Sequence, residues 1–238
     1  MSPETRHDRT CALLSKKAIE TLSEKSVLVA GLGGVGSWAA EALARAGVGR
    51  LILIDGDVVT PSNLNRQLFA LESTVGQPKC QVARCRLLDI NSRLIVDTMD
   101  DPLLAGEIGD VLRRFAPIDY IIDAIDSLSA KIDLIATALT HETPIIAAMG
   151  TGNRLDPTRL KTADLSETHT DPLARIVRRE LRKRDIEHVK VVFSEEPPVT
   201  PIGIDNRTIG SVPFVPPVAG FLLASEVIRD LTSFPAEK

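Results

Sequence analysis

The stretch Ser26-Val27-Leu28-Val29-Ala30-Gly31-Leu32-Gly33-Gly34-Val35-Gly36-Ser37 decides the fold. A short apolar run of buried-strand character breaks into glycines, and Ser37 to Ala46 that follows is rich in helix formers. Strand, glycine turn and helix in that order let backbone N–H groups and a helix N-terminus approach a phosphate closely. Gly31, Gly33, Gly34 and Gly36 are therefore candidate nucleotide-binding positions. Outward from this turn, Gly47 and Gly49 mark the helix stop, and Leu51 to Ile54 is a second strand run ending in Asp55. The three pieces form a βαβ unit. Asp55, twenty-four residues beyond Gly31, can reach a ribose hydroxyl, and on the glycine turn alone an NAD or FAD site fits as well as any other nucleotide.

The alternation continues downstream. Helical pattern is expected over Gln81–Ile90, Leu103–Phe115 and Ala130–Leu139, with strands at Leu94–Thr98, Tyr120–Ile122 ending at Asp123, and Ile145–Ala148. This predicts an α/β fold with a Rossmann-like, mostly parallel sheet and helices on both faces. After Gly152 come a β-rich piece around Arg159–Thr162, a charged helix from Pro172 to about Arg184, a strand Val189–Phe193, a Pro-rich loop over 197–217 and a last apolar helix. Residues 1–238 are read as one domain, with a nucleotide-binding core at about 24–150 and a C-terminal extension at about 151–238.

Composition narrows the partners. With 44% hydrophobic but only 3% aromatic residues, the core must be aliphatic. A net charge of -4 gives no global electrostatic case for nucleic acid, so such a role needs a local basic patch. Cys11, Cys80 and Cys85 form no CxxC pair, which fits a reducing compartment, with the cytoplasm as the default, and excludes a four-cysteine zinc site. Residues 1–24 contain no apolar signal segment and Val215–Leu223 is too short to span a bilayer, so no membrane association is expected.

A second block separates the nucleotide readings: Asp55-Gly56-Asp57, then Ser62-Asn63-Leu64-Asn65-Arg66-Gln67, then Val75-Gly76-Gln77-Pro78-Lys79. A dinucleotide dehydrogenase needs no such cluster of cations. Arg66 and Lys79 lie thirteen apart, and Lys79 sits at a helix start after Pro78, a placement suited to β- and γ-phosphates that leave as pyrophosphate.

Together with Asp123-Ala124-Ile125-Asp126-Ser127, these blocks resemble the signature set of the E1-like adenylating superfamily, in order and spacing from about Arg6 to Met149. That superfamily includes ubiquitin-activating enzymes and the activators of sulfur-carrier proteins. The resemblance implies ATP as co-substrate, Asp55 on its ribose, Asn63, Arg66 and Lys79 on its phosphates, with Asp57 and Asn65 in the same nucleotide-binding set. It gives Asp126 a catalytic Mg²⁺ or an equivalent cation; the alternative for Asp126 is an N-cap of the helix after Ser127. It also implies that an arginine of the N-terminal segment, best matched by Arg9, reaches the ATP of a partner subunit, making the enzyme a homodimer.

The end of the chain, Val191-Val192-Phe193-Ser194-Glu195-Glu196-Pro197 and Gly210 to Gly220, is similar to the tRNA threonylcarbamoyladenosine dehydratase branch, as are Trp38–Arg45 and Leu155–Thr158. That similarity implies ATP-dependent cyclisation of the threonylcarbamoyl side chain on a tRNA adenosine. The rival within the superfamily is an enzyme that adenylates the C-terminus of a ubiquitin-like or sulfur-carrier protein. Some relatives carry a cysteine where this chain has Lys190 and Val191, so a sulfur relay is not expected, and whether a cysteine desulfurase or sulfur acceptor docks is left open. Arg175, Arg178, Arg179 and Arg182 fall at i, i+3, i+4 and i+7, one helix face suited to tRNA phosphates or, equally, a solvated charged face.

Overall fold

The computed structural model describes residues 5–202 and 209–232. Two short helices, α1 (Asp8–Leu14) and α2 (Lys16–Ser23), precede β1 (Ser26–Ala30). The sequence gives no strong sign of them because only one edge of α2, at Ala18 and Leu22, is buried. The chain continues through α3 (Gly36–Ala46), β2 (Arg50–Ile54), α4 (Lys79–Ile90), β3 (Ile95–Met99), α5 (Ile108–Phe115), β4 (Tyr120–Asp123), α6 (Leu128–Thr140) and β5 (Ile145–Ala148). It ends with β6 (Leu160–Asp164), α7 (Pro172–Arg182), β7 (Lys190–Ser194) and α8 (Val215–Thr232).

The strands form one seven-stranded sheet in the order β3-β2-β1-β4-β5-β7-β6. Every neighbouring pair is parallel except β6 with β7. Successive β1 side chains point to opposite faces, and both faces are buried: Val27 and Val29 join the aliphatic layer under α3, α4 and α8, while Leu28 and Ala30 join the layer under α5, α6 and α7. From β1 the chain winds outward to β2 and β3, and from β4 it winds the other way. The carboxyl ends of β1 and β4 therefore flank the switch-point crevice where such sheets bind ligands.

Some boundaries differ from expectation for local reasons. The helix expected from Leu103 begins only at Ile108, because Gly106 adopts φ 89° and its N–H is held by Asp133 Oδ2 at 2.8 Å. Helix α4 starts at Lys79, the helix start expected after Pro78 and two residues before the helical run read from Gln81, with Pro78 as its N-cap. The described part of the stretch after Gly150 adds to the same sheet: β7 pairs with β5, and α8 lies on α3, where a Cβ on Gly220 would sit 2.4 Å from Val35 O. Among the described residues no helix is long and apolar enough to cross a membrane.

Candidate active site

The glycine turn is shaped by close backbone approaches. Gly31 has φ +87° and a Cβ there would lie 2.6 Å from Ala124 O, so the turn after β1 touches the turn after β4 directly. A Cβ on Gly36 would lie 1.8 Å from Gly31 O, which only glycine permits. No side chain caps the first turn of α3, so its N-terminus is open to an anion. Gly33 and Gly34 are covered from the other side: the nearest atom to a Cβ on Gly33 is Gln67 Nε2 at 3.8 Å, and Gly34 faces the Arg66 stem at 3.2 Å and Pro216 at 3.0 Å.

Asp55 braces this turn. Its Oδ2 accepts from Leu32 N at 2.6 Å and its Oδ1 from Asp57 N at 2.9 Å. Lys79, 4% exposed, closes the group with its Nζ 2.7 Å from Asp57 Oδ2 and 3.5 Å from Asp55 Oδ1. The lysine charge is thus compensated by two carboxylates, one of which, Asp57, is largely in water. The remaining lone pairs of Asp55 leave it able to accept from a ribose hydroxyl.

The segment carrying Arg66 is fastened to α3. Trp38 Nε1 donates to Arg66 O at 3.1 Å, and Ser37 Oγ donates to Gly33 O at 2.6 Å while accepting from Leu68 N at 3.2 Å. The Arg66 guanidinium donates to Ser62 O at 2.9 Å and Asn65 Oδ1 at 3.0 Å, both at the exposed edge of the site. Asn63 is buried and its Oδ1 accepts from Thr60 N at 3.1 Å, while Asn65 Nδ2 donates to Ser211 O at 2.9 Å. Both asparagines hold the loop's shape.

At the end of β4 the structure adds a pair that sequence reading assigned no role. Asp123 and Lys131 are both 0% exposed, with Lys131 Nζ 2.8 Å from Asp123 Oδ2 and 3.0 Å from Ala148 O at the end of β5. Asp123 Oδ1 also accepts from Ile125 N at 3.2 Å, so the pair pins the turn that presents Asp126. Burial pushes the Asp123 carboxyl up, and Lys131 opposes that shift. The available signal was a lysine eight residues after a strand-terminal aspartate, on the buried face of the next helix. Asp126 itself is exposed and makes no hydrogen bond or ion pair among the described residues; the N-cap of α6 is Ser127, so Asp126 does not cap the helix.

The remaining candidates lie farther out. Arg9 on α1 is exposed and unpaired among the described residues, whereas Arg6 is bound within its own chain to Ile90 O and Asn91 Oδ1. On α7 the expected four-arginine stripe is reduced to Arg175, Arg179 and Arg182. Arg178 is half-buried and spends one nitrogen on Leu165 O, Thr168 O and Thr168 Oγ1, tying the 165–168 turn to the helix. Cys80 is buried against three carbonyls and its thiol is pushed up to about 12 by desolvation, so it is no nucleophile; Cys85 is exposed and Cys11 half-buried.

Known proteins share this architecture and much of this sequence. A family model described as the ThiF family matches residues 7–238. The tRNA threonylcarbamoyladenosine dehydratase of Bacillus subtilis (strain 168) is 43% identical over 233 residues, covering 92% of this chain and 91% of the relative. A solved structure of the Escherichia coli tRNA N6-threonylcarbamoyladenosine dehydratase in complex with ATP superposes with a TM-score of 0.89 at 34% identity, covering 96% of this chain and 94% of that one. The molybdopterin-synthase adenylyltransferase of Escherichia coli (strain K12) is 36% identical over 128 residues, 54% of this chain and 50% of the relative. The family model's match over residues 7–238, on a chain whose glycine turn meets the turn after β4 across a sheet switch point, makes this chain a member of the ThiF family.

Proposed function

We propose that this protein is an ATP-dependent tRNA threonylcarbamoyladenosine dehydratase. The carrying observation is that the 43% identity to the Bacillus dehydratase runs through 92% of this chain, whereas the likeness to the carrier-activating molybdopterin-synthase adenylyltransferase stops at 54%. ATP lies on the glycine turn, with its ribose at Asp55 and its phosphates between the α3 N-terminus, Arg66 and Lys79. Lys79 exchanges Asp57 for phosphate oxygens as the nucleotide enters. Asp126, an exposed carboxylate in the turn after β4, would hold a Mg²⁺, which would supply charge compensation for the phosphates; among the described residues no group of three or more potential ligands forms a fuller metal cage.

The substrate carboxylate attacks the α-phosphorus, pyrophosphate leaves, and an acyl-adenylate forms. An atom of the same side chain then attacks the acyl carbon and AMP departs, so proximity replaces an enzyme nucleophile and no cysteine is required. The RNA backbone crosses the exposed Arg175, Arg179 and Arg182, and the reaction takes place in the cytoplasm. The test is to incubate purified protein with ATP and tRNA carrying the modification and to follow nucleoside mass. The expected result is loss of one water from the modified adenosine with stoichiometric AMP. ATP–pyrophosphate exchange stimulated by a Gly-Gly-ending carrier protein and not by tRNA would overturn the reading.

A further inference from the structure

Asp55 and Asp126 both stand just past the carboxyl end of a strand, yet only Asp55 is braced through its own side chain, by Leu32 N at 2.6 Å and Asp57 N at 2.9 Å. Asp126 is exposed and its carboxylate makes no hydrogen bond or ion pair among the described residues. Its position relative to the glycine turn is therefore set by the backbone, and the connection between β4 and α6 is short, residues 124–127.

That backbone is held from below. Ala124 N donates to Ala30 O at 2.8 Å, and a Cβ on Gly31 would sit 2.6 Å from Ala124 O, so this turn bears directly on the glycine turn. Asp123 Oδ1 accepts from Ile125 N at 3.2 Å. Lys131 N donates to Ser127 O at 2.9 Å in the first turn of α6, and the Lys131 side chain returns to the strand end. There its Nζ donates to Asp123 Oδ2 at 2.8 Å and to Ala148 O, at the end of β5, at 3.0 Å. The ion pair thus closes residues 123–131 into a ring that contains Asp126, and it fastens that ring to the neighbouring strand.

Both partners are 0% exposed. Taking two charges out of water is costly, and a buried pair replaced by well-packed apolar residues is often no less stable, so packing alone does not call for this one. Apolar side chains cannot supply the bonds to Ile125 N and Ala148 O. We propose that Asp123 and Lys131 are positioning residues for adenylation, holding the Asp126 carboxylate at a fixed reach from a nucleotide on the glycine turn. This assignment rests on the reading that Asp126 acts in that step.

The test is a double-mutant cycle on ATP–pyrophosphate exchange stimulated by the modified tRNA, with Asp123→Asn/Lys131→Met as one arm and Asp126→Asn as the other. The paired substitution removes both charges together and leaves neither stranded. It should bind a non-hydrolysable ATP analogue as wild type does, because Asp55, Arg66 and Lys79 are untouched. Exchange at saturating ATP should fall about tenfold or more, so kcat moves while KM for ATP holds. Added to Asp126→Asn, the paired substitution should cost nothing further, because the group it positions is already gone. Wild-type exchange in the paired variant would overturn the proposal, as would a loss that multiplies in full with that of Asp126→Asn. Loss of analogue binding together with a collapsed thermal midpoint would also overturn it, since that marks a purely structural pair. Wild-type exchange in Asp126→Asn would leave the pair nothing to position and overturn both. Exchange stimulated by a Gly-Gly-ending carrier protein and not by tRNA would overturn the dehydratase reading alone, and the same cycle run with that carrier would decide the pair.

Discussion

Lys79 and Asp126 are opposites in their surroundings, and this separates their expected phenotypes. Lys79 is buried between two acids, so Lys79→Ala should lower stability as well as adenylation, because Asp55 is left uncompensated. Asp126 is exposed and makes no hydrogen bond or ion pair among the described residues, so Asp126→Asn should leave the thermal midpoint unchanged while reducing ATP–pyrophosphate exchange about 10²–10³-fold, the scale of a lost transition-state charge partner. Exchange within a factor of a few of wild type would remove Asp126 from the reaction. Asp123 and Lys131 sit at the other extreme. Lys131→Met strands a buried carboxylate and should cost about 3–5 kcal/mol, whereas Asp123→Asn with Lys131→Met should recover part of it. Urea unfolding of the two variants checks this; equal losses would mean that the two charges are not coupled. Sequence reading found the exposed carboxylate because it lies in a recognisable motif. It gave no role to the buried pair, because burial of both partners is a property of packing that neither residue type announces.

Elements were legible where both the start and the stop are chemical. Helix α3 and strand β2 lie close to their expected positions because the glycine turn, left-handed Gly47 and the run to Asp55 punctuate them. Helices α1 and α2 were not, since their stability comes from neighbours rather than from periodicity in their own residues; strand β6 was expected around Arg159–Thr162, but its antiparallel pairing with β7 was not. The stripe on α7 was over-read for the same reason: spacing puts Arg178 on the face, but nearby carbonyls of the 165–168 turn capture it. Contacts between elements carry the pH dependence too. Glu41 on α3 is nearly buried and accepts from Arg86 on α4 at 2.8 Å and from Arg45 at 2.6 Å. Desolvation alone would raise its pKa, but the two arginines outweigh it, and the carboxyl ends below its ordinary 4.5. A depressed folded-state pKa means stabilisation that is complete above that ordinary value and lost as pH falls through the lower folded one. Glu41→Gln should therefore destabilise by about 1–2 kcal/mol near neutrality, with both arginines partly screened by water. The gap to wild type should close as pH drops below about 4. Melting curves across pH 3–7 measure it; a gap that persists at the acid end would show that shape, not charge, is what Glu41 contributes.

At the scale of the whole molecule, the question is whether one chain holds a complete site. Arg6 and Arg9 lie near each other in sequence but behave differently: Arg6 is spent on the C-terminus of α4 in its own chain, while Arg9 is exposed and unpaired among the described residues. An arginine presented outward from the N-terminal helix, on a family member in which Arg66 and Lys79 are the proposed phosphate ligands, fits donation to a second copy's nucleotide across a two-fold axis. Two dead variants should then complement each other. Arg9→Ala lacks the donated cation and Lys79→Ala lacks the resident one, so each homodimer is inactive at both sites. In a mixed dimer the Lys79→Ala chain supplies Arg9 to the Arg9→Ala chain, whose Lys79 is intact, and that site is whole; the other site carries both defects. Random reassortment of equal amounts makes half of the dimers mixed with one working site each, so recovery of about a quarter of wild-type exchange activity is expected. Subunit exchange would be followed in parallel with distinguishable tags. Demonstrated exchange without recovered activity would place Arg9 in its own chain's site or outside catalysis, because a cation acting within its own subunit leaves every site of the mixed dimer with one defect.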